Sequence, residues 1–201
     1  MKLVLASNNP GKLLEMRALM SLTQLPIELV AQSALGIAEA EEPHQTFLEN
    51  ALAKARHASR DSGLPALADD SGLCVTGLGG APGVYSALYA GEPRSDARNN
   101  EKLLAETAML ADRRAHYACV MVLVRRPDDP QPVVSEGVWR GEVALAPRGV
   151  GGFGYDPLFW LSKHGCTAAE LDPQEKNRIS HRGIALASLL ARFPEWLREK
   201  A

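Results

Sequence analysis

The stretch Leu67-Ala68-Asp69-Asp70-Ser71-Gly72-Leu73 sets two adjacent carboxylates and a hydroxyl directly after an apolar run. The apolar residues predict a strand. Successive side chains of a strand point to opposite faces, so Asp69 and Asp70 can serve one ligand only if the strand ends at them. Gly72 accepts the backbone angles of a turn, and the expected structure is a strand that leaves the core at Leu67-Ala68 and stops at the aspartates. Two chemistries fit such a cluster. A hard divalent cation such as Mg²⁺ takes carboxylate oxygens and leaves positions for phosphate oxygens, whereas Asp and Gly also mark ordinary solvated turns. Taken alone the stretch reads as the turn, and the rest of the chain decides.

A chain of 201 residues fits one domain, with room for two lobes and a substantial core. The apolar share of 46% and charged share of 23% are those of ordinary soluble globular proteins. A net charge of -2 supplies no basic field that would call for nucleic acid. Cys74, Cys119 and Cys166 lie far apart, which excludes a local zinc motif and a disulfide framework and suits a reducing cytoplasm. The N-terminus lacks a basic segment followed by a long apolar run, and no stretch approaches the roughly 20 apolar residues of a membrane span. The expectation is a soluble, cytoplasmic protein with neither nucleic-acid nor membrane partners.

Upstream of the aspartates, the apolar run Lys2 to Ala6 is followed by Ser7-Asn8-Asn9-Pro10-Gly11-Lys12 and then by Leu13 to Met20, a pattern of strand, polar turn and helix. A helix start leaves unpaired N–H groups, Lys12 adds a mobile positive charge, and an anion fits there. The spacing of a Walker loop is absent, and Asn, Pro and Gly equally make a plain turn. Ile27 to Ala31 reads as a second strand and Ala38 to Pro43 as an acidic loop carrying Glu39, Glu41 and Glu42. Thr46-Phe47-Leu48-Glu49 has capping-box spacing and opens a helix to about Arg60. Phe47, Leu48, Ala51, Leu52 and Ala55 recur on its apolar side, which leaves Glu49, Lys54 and Arg56 mostly on the other.

Downstream, Leu78 to Ser86 is a glycine-rich loop, Ser95 to Ala111 a helix, and Tyr117 to Val124 a nearly continuous apolar strand of the kind buried on both faces. Pro127-Asp128-Asp129-Pro130 turns the chain, and Val133 to Val143 returns as the second arm of a hairpin. Gly149-Val150-Gly151-Gly152-Phe153-Gly154 matches the dinucleotide fingerprint letter for letter but lacks the helix that must follow it. Tyr155 to Trp160 reads instead as an extended aromatic segment, and Pro157 disfavours a helical Asp156. Phe153, Tyr155 and Asp156 suggest a base-binding loop, with Phe153 equally readable as core, and Phe159 and Trp160 more readily so. Asp172-Pro173-Gln174-Glu175 starts a helix with Asp as cap, and Ser180-His181-Arg182-Gly183 opens the last one, with Ile184, Leu186, Leu189 and Leu190 as its buried side. Lys176, Arg178, His181 and Arg182 are donors for phosphate or carbonyl oxygens, or a solvated helix surface.

The polar turn at residues 7–12, the carboxylates at 41–42 and 69–70 and the cations at 176–182 together describe a site for a nucleoside triphosphate and a metal. Six segments resemble the inosine/xanthosine triphosphate pyrophosphatases: Ser7 to Lys12, Thr46 to Ala51, Ala68 to Leu73, Leu78 to Ser86, Phe153 to Pro157, and Ser180-His181-Arg182. They stand in the family's order and span nearly the whole chain. The resemblance implies an α/β fold, an elongated single domain over residues 1–201 with two lobes around a mixed, twisted β-sheet flanked by helices. It implies a homodimer that uses Mg²⁺ to hydrolyse dITP, ITP or XTP to the monophosphate and pyrophosphate, cleansing the nucleotide pool of deaminated purines. By that resemblance Ser7, Asn8, Asn9, Pro10, Gly11 and Lys12 hold the triphosphate, and Asp70 binds Mg²⁺ and accepts a proton. Glu41 is the second acidic ligand, with Glu42 beside it as the alternative. Ser71 touches the substrate, and Phe153, Gly154, Tyr155, Asp156, Lys176, His181 and Arg182 form the nucleoside pocket.

Hypoxanthine and xanthine present a 6-oxo group where adenine presents an amine. Donors from Lys176, His181 or Arg182 match the oxo group and oppose the amine, a mismatch worth about 1–3 kcal/mol when buried. Arg182→Ala is accordingly expected to impair dITP hydrolysis far more than folding. Two other functions compete: a pyrophosphatase for modified pyrimidine or ordinary nucleotides, and a non-catalytic nucleotide- or RNA-contacting module built on Lys176 to Arg182. The acidic cluster opposes the second, because unpaired carboxylates repel phosphate. Cys74 is expected in the packed core.

Overall fold

Side-chain alternation along the strands decides how this chain folds, and the computed structural model, which describes residues 1–21 and 25–198, shows it from the first strand onward. The elements are β1 (Lys2–Leu5), α1 (Pro10–Ser21), β2 (Glu28–Ala31), α2 (Phe47–Ser62), β3 (Ala66–Val75), α3 (Asp96–Thr107), β4 (Arg114–Val124), β5 (Val133–Val143), β6 (Phe159–Leu161), β7 (Cys166–Thr167), α4 (Pro173–Ile179) and α5 (His181–Arg198). The protein is α/β, with a mixed seven-stranded sheet in the order β2-β1-β3-β4-β5-β6-β7. β1 pairs in parallel with β2, Leu3 opposite Leu29, and with β3, Val4 opposite Ala66. The helical crossovers α1 and α2 make that possible, because parallel neighbours need a long return path. β6 lies antiparallel to β5 and to β7.

The chain divides into two compact units, one of Met1–Asp70, Cys119–Gly137 and the segment from Arg182 onward, the other of Ser71–Ala118 and Val138–His181. In the first unit the strands sort their residues by parity. Leu3, Leu5, Leu67, Met121 and Leu123 pack with Met16 of α1 and with Leu186, Leu189, Phe193 and Trp196 of α5. Val4, Ala66, Ala68, Val120, Val122 and Val124 pack instead with Ala51, Ala55 and Ala58 of α2. The small alanines of α2 let its backbone approach the sheet closely. The second unit has its own core, in which Leu73, Val75, Leu103, Tyr117, Trp139, Tyr155, Leu158 and Phe159 are buried together. Tyr117 and Phe159 have ring centroids 4.7 Å apart, and Trp139 lies 5.0 Å from Phe159.

The caps fall where the sequence places them. Thr46 accepts the Glu49 N–H at 3.2 Å at the start of α2, and Asp172 accepts the Gln174 N–H at 2.8 Å at the start of α4.

Several expectations are corrected. β3 does not stop at the aspartates but runs through Asp69, Asp70, Ser71 and Gly72 to Val75. Gly72 makes no turn. A side chain there would drive into the Gly83 carbonyl oxygen and sit 2.6 Å from Ser86 Oγ, so the strand needs glycine for room. Lys54, placed on the solvated side of α2 by its charge, is buried, whereas Leu48 and, on α5, Ile184 are exposed. The segment after Gly154 is not extended throughout, since Asp156–Leu158 forms one 3₁₀ turn before β6. The helix begun at Ser95 ends at Thr107, short of Ala111.

Candidate active site

Because β3 continues, Asp69 and Asp70 fall on different walls of the first unit. Asp69 shares the parity of Leu67 and faces α1 and α5, where Lys12 Nζ lies 2.9 Å and Arg182 Nε 3.3 Å from Asp69 Oδ2. Arg182 also pairs with Glu15 of α1. Asp69 and Arg182 are both almost wholly buried. Burial alone would raise the Asp69 carboxyl, but the charges of Lys12 and Arg182 outweigh it and hold the group far below the usual carboxylate range. Asp69 is therefore a permanent anion locked in an ion-pair cluster.

Asp70 shares the parity of Ala68 and faces α2. Lys54 Nζ donates to Asp70 Oδ1 at 3.1 Å and to Glu42 Oε2 at 2.7 Å, joining the two carboxylates through one ammonium. Asn50, one turn before Lys54, donates to Asp70 Oδ2 at 3.3 Å and to the His44 carbonyl at 3.3 Å, while its Oδ1 accepts the His44 N–H at 3.0 Å. Asn50 thus pins the end of the acidic loop beside Asp70. Desolvation pushes the Asp70 carboxyl above its ordinary value and Glu42 pushes the same way, against the pull of Lys54 and Lys12. Glu42, though exposed, is lowered, because the charge and hydrogen bond of Lys54 outweigh its partial desolvation. Of two neighbours in sequence, one is fixed in its charge and the other retains an affinity for protons.

Sequence reasoning missed Asn50 and Lys54. Their signal lies in spacing: four residues apart, each precedes an alanine of the buried stripe Ala51, Ala55, Ala58, so both belong to the same face of α2.

The other expected residues are placed as follows. Pro10, Gly11 and Lys12 are the first turn of α1. Asn9 Oδ1 already accepts the Gly11 and Lys12 N–H groups at 2.9 and 3.3 Å, Ser7 Oγ accepts the Asn9 N–H, and Glu39 accepts the Asn8 N–H at 3.2 Å. The turn is internally capped, so an anion there meets Lys12 and exchangeable side chains rather than bare helix donors. Glu41 is exposed, and the structure brings Glu42 rather than Glu41 to Lys54 and Asp70. Ser71 follows Asp70 in β3, in the second unit.

In the second unit, Asp156 and Lys176 are buried and paired at 2.7 Å, and Asp156 also accepts the Phe153 N–H at 2.8 Å. Lys176 Nζ stands 5.0 Å from the centroid of the half-buried Phe153 ring. Tyr155 is a core residue rather than a stacking surface, and its hydroxyl donates to the Ser86 carbonyl at 2.8 Å. His181 lies nearly parallel to Tyr117, 8° between planes and 4.6 Å between centroids. Arg182, expected beside these groups, belongs to the first unit in the Asp69 cluster.

Among the described residues no three His, Cys, Asp or Glu side chains are arranged to hold a metal ion by themselves. The donor chemistry nevertheless fits Mg²⁺. Asp70 and Glu42 are hard oxygen donors that already converge on one positive charge, that of Lys54, and Mg²⁺ uses one or two carboxylates together with phosphate oxygens.

A mixed-sheet α/β protein whose third strand carries buried carboxylates paired to lysines has the charge pattern of a class suited to phosphate chemistry. Residues 3–192 match the Ham1 family, and the chain belongs to that family. It is 62% identical over 194 residues to the dITP/XTP pyrophosphatase of Nitrosomonas europaea, covering 96% of this chain and 95% of that one. It is 64% identical over 195 residues to the dITP/XTP pyrophosphatase of Ralstonia nicotianae, covering 96% of each. Among solved structures it resembles a HAM1 protein from Coxiella burnetii, with TM-score 0.89, 49% identity and coverage of 97% of this chain and 99% of that one.

Proposed function

We propose that this chain hydrolyses deaminated purine nucleoside triphosphates, dITP, ITP and XTP, to the monophosphate and pyrophosphate. The observation that carries the reading is Asp70, a buried carboxylate with a raised proton affinity facing Lys54, Asn50 and Glu42. The near full-length likeness to proteins named dITP/XTP pyrophosphatase supports the choice of substrate.

Mg²⁺ would be held by Asp70 with the acidic pair Glu41 and Glu42, where it would screen the triphosphate charge. Asp70 orients the attacking water and takes its proton, with Asn50 fixing the second carboxylate oxygen. Lys12 and Lys54 stabilise the charge that develops on pyrophosphate as the α–β anhydride bond breaks, with Ser7 to Gly11 and Ser71 against the phosphate chain. Phe153 offers a ring for the base, with Gly154, Tyr155 and Asp156 shaping the loop around it. Lys176, His181 and Arg182 supply donors or, for Arg182, hold Asp69 so that Asp70 keeps its place on β3. Donors toward the 6-oxo position leave the adenine amine without an acceptor. The family resemblance supports a homodimer, and thiol rather than disulfide cysteines support a reducing cytoplasm.

The test is pyrophosphate release from dITP, XTP, dGTP, dUTP and a modified dTTP, with Mg²⁺ and with a chelator. Turnover of dITP and XTP that dominates the panel and disappears in the chelator is expected. Equal turnover of dUTP would sink the purine reading, and undiminished turnover in the chelator would sink the metal.

A further inference from the structure

Gly154 is gripped through both of its backbone polar groups by the first turns of α3. Its N–H donates to Asp96 Oδ2 at 2.8 Å, and its carbonyl accepts from Asn100 Nδ2 at 2.8 Å. Asn100 Nδ2 also donates to the Asp96 backbone carbonyl at 2.8 Å, which holds the Asn100 amide against the helix, and the two side chains, one turn apart, grip Gly154 from the same helix. Gly154 has φ +64°, a conformation that side chains rarely adopt. The residue thus has no side chain with which to anchor itself, and α3 does the anchoring. On either side of it stand groups that matter to a base. Phe153 precedes it, with Lys176 over the ring and Asp156 on its N–H, and Tyr155 follows, tied to Ser86. Asn99, next to Asn100, donates to the Ser86 and Ala87 carbonyls at 3.3 and 3.0 Å, and so ties the Gly83–Leu88 turn to the same helix.

We propose that Asp96 and Asn100 are positioning residues for base recognition: by fixing Gly154 they aim the Phe153 ring and the Lys176 cation at the purine. The proposal rests on the reading of Phe153 to Asp156 and Lys176 as the base pocket. Neither clamp residue touches the nucleotide. Their effect is to settle in advance the backbone freedom of a glycine-rich loop, which base binding would otherwise have to remove. The Asp96 bond, with an ionised acceptor, is the stronger of the two.

The experiment is steady-state hydrolysis of dITP by the full chain carrying Asp96→Ala, Asn100→Ala, Asp96→Asn or Phe153→Ala, with competition by tripolyphosphate, which offers the phosphate chain without a base. Asp96→Ala and Asn100→Ala are expected to raise KM for dITP about tenfold and about threefold respectively, with kcat nearly unchanged and tripolyphosphate competition unaltered. Asp96→Asn keeps an acceptor for the Gly154 N–H and should restore most of the loss. If both alanine variants keep the parent KM while Phe153→Ala raises it, the clamp is refuted and the pocket stands. If Phe153→Ala leaves KM unchanged, the pocket reading itself fails. A parallel loss of tripolyphosphate competition would mean a general disturbance of the fold and would overturn the proposal. Should Asp96→Ala not fold, Asn100→Ala leaves both the Ser95 cap and the Asp96 acceptor in place and decides the matter alone.

Discussion

At residues 69 and 70 the two faces of β3 meet opposite environments made from the same materials. On the α1 and α5 side, Asp69 meets Lys12 and Arg182, and Arg182 meets Glu15, so that two cations and two anions cancel in a buried cluster. On the α2 side, Asp70 and Glu42 share Lys54, and the remaining Asp70 oxygen takes an amide rather than a second cation. The first arrangement fixes a charge and the second leaves one available. A period-two backbone separates structure from chemistry by one residue, and nothing in the composition of the pair distinguishes them.

The hardest strike against this contrast is Asp70→Asn, which preserves shape and removes the acceptor. Turnover of dITP should fall about 10³-fold or more, since general-base catalysis alone contributes about 10²–10⁴, while the melting temperature stays within a few degrees. Asp69→Asn should do the reverse in kind. It leaves Lys12 and Arg182 facing a neutral group in a buried site, which costs about 3–5 kcal/mol of unfolding free energy, read from urea titrations. Loss of activity without loss of stability in Asp69→Asn would erase the distinction. Arg182→Ala approaches the same cluster from the other side and is expected to destabilise by about 3–5 kcal/mol, in place of the pure substrate defect that the sequence suggests. Because Asp69 and Arg182 are partners, their double substitution should be clearly less destabilising than the summed singles.

The same contrast explains what the sequence could reveal. The strand–turn–helix opening, the Thr46 and Asp172 caps and the paired strands β4 and β5 are local, and hydroxyl, carboxylate and proline signals announce them directly. The motif blocks announce the family. The length of β3 is not local: Asp69 and Asp70 are poor strand formers, and the ion pairs that let them lie in a strand come from Lys12 and Lys54, far away along the chain. Lys54 reads as solvated from its charge, and only the helical spacing of the Ala51, Ala55, Ala58 stripe points it inward. Arg182 reads as a substrate donor beside His181, yet consecutive helix positions point apart, and these two serve different units.

Gly72 yields the smallest predicted effect and tests the contrast most finely, because it continues the parity of Asp70 two residues further on. It reads in sequence as a turn residue, but its φ is not in the left-handed region. What excludes a side chain is the Gly83 carbonyl oxygen, with Ser86 Oγ at 2.6 Å, where that hydroxyl accepts the Leu73 N–H at 2.9 Å. Gly72→Ala must push rigid backbone aside and should lower stability by about 1–3 kcal/mol. Turnover, measured well below the melting transition, should change less than threefold, because Lys54, Asn50 and Glu42, the partners of Asp70, all belong to the first unit. Ser86→Ala added to Gly72→Ala should be less damaging than the two singles combined, since both act at one crowded point. A large fall in turnover without a fall in stability would mean that the end of β3 holds Asp70 in place, and that the chemistry of the α2 face extends beyond the residues that touch it.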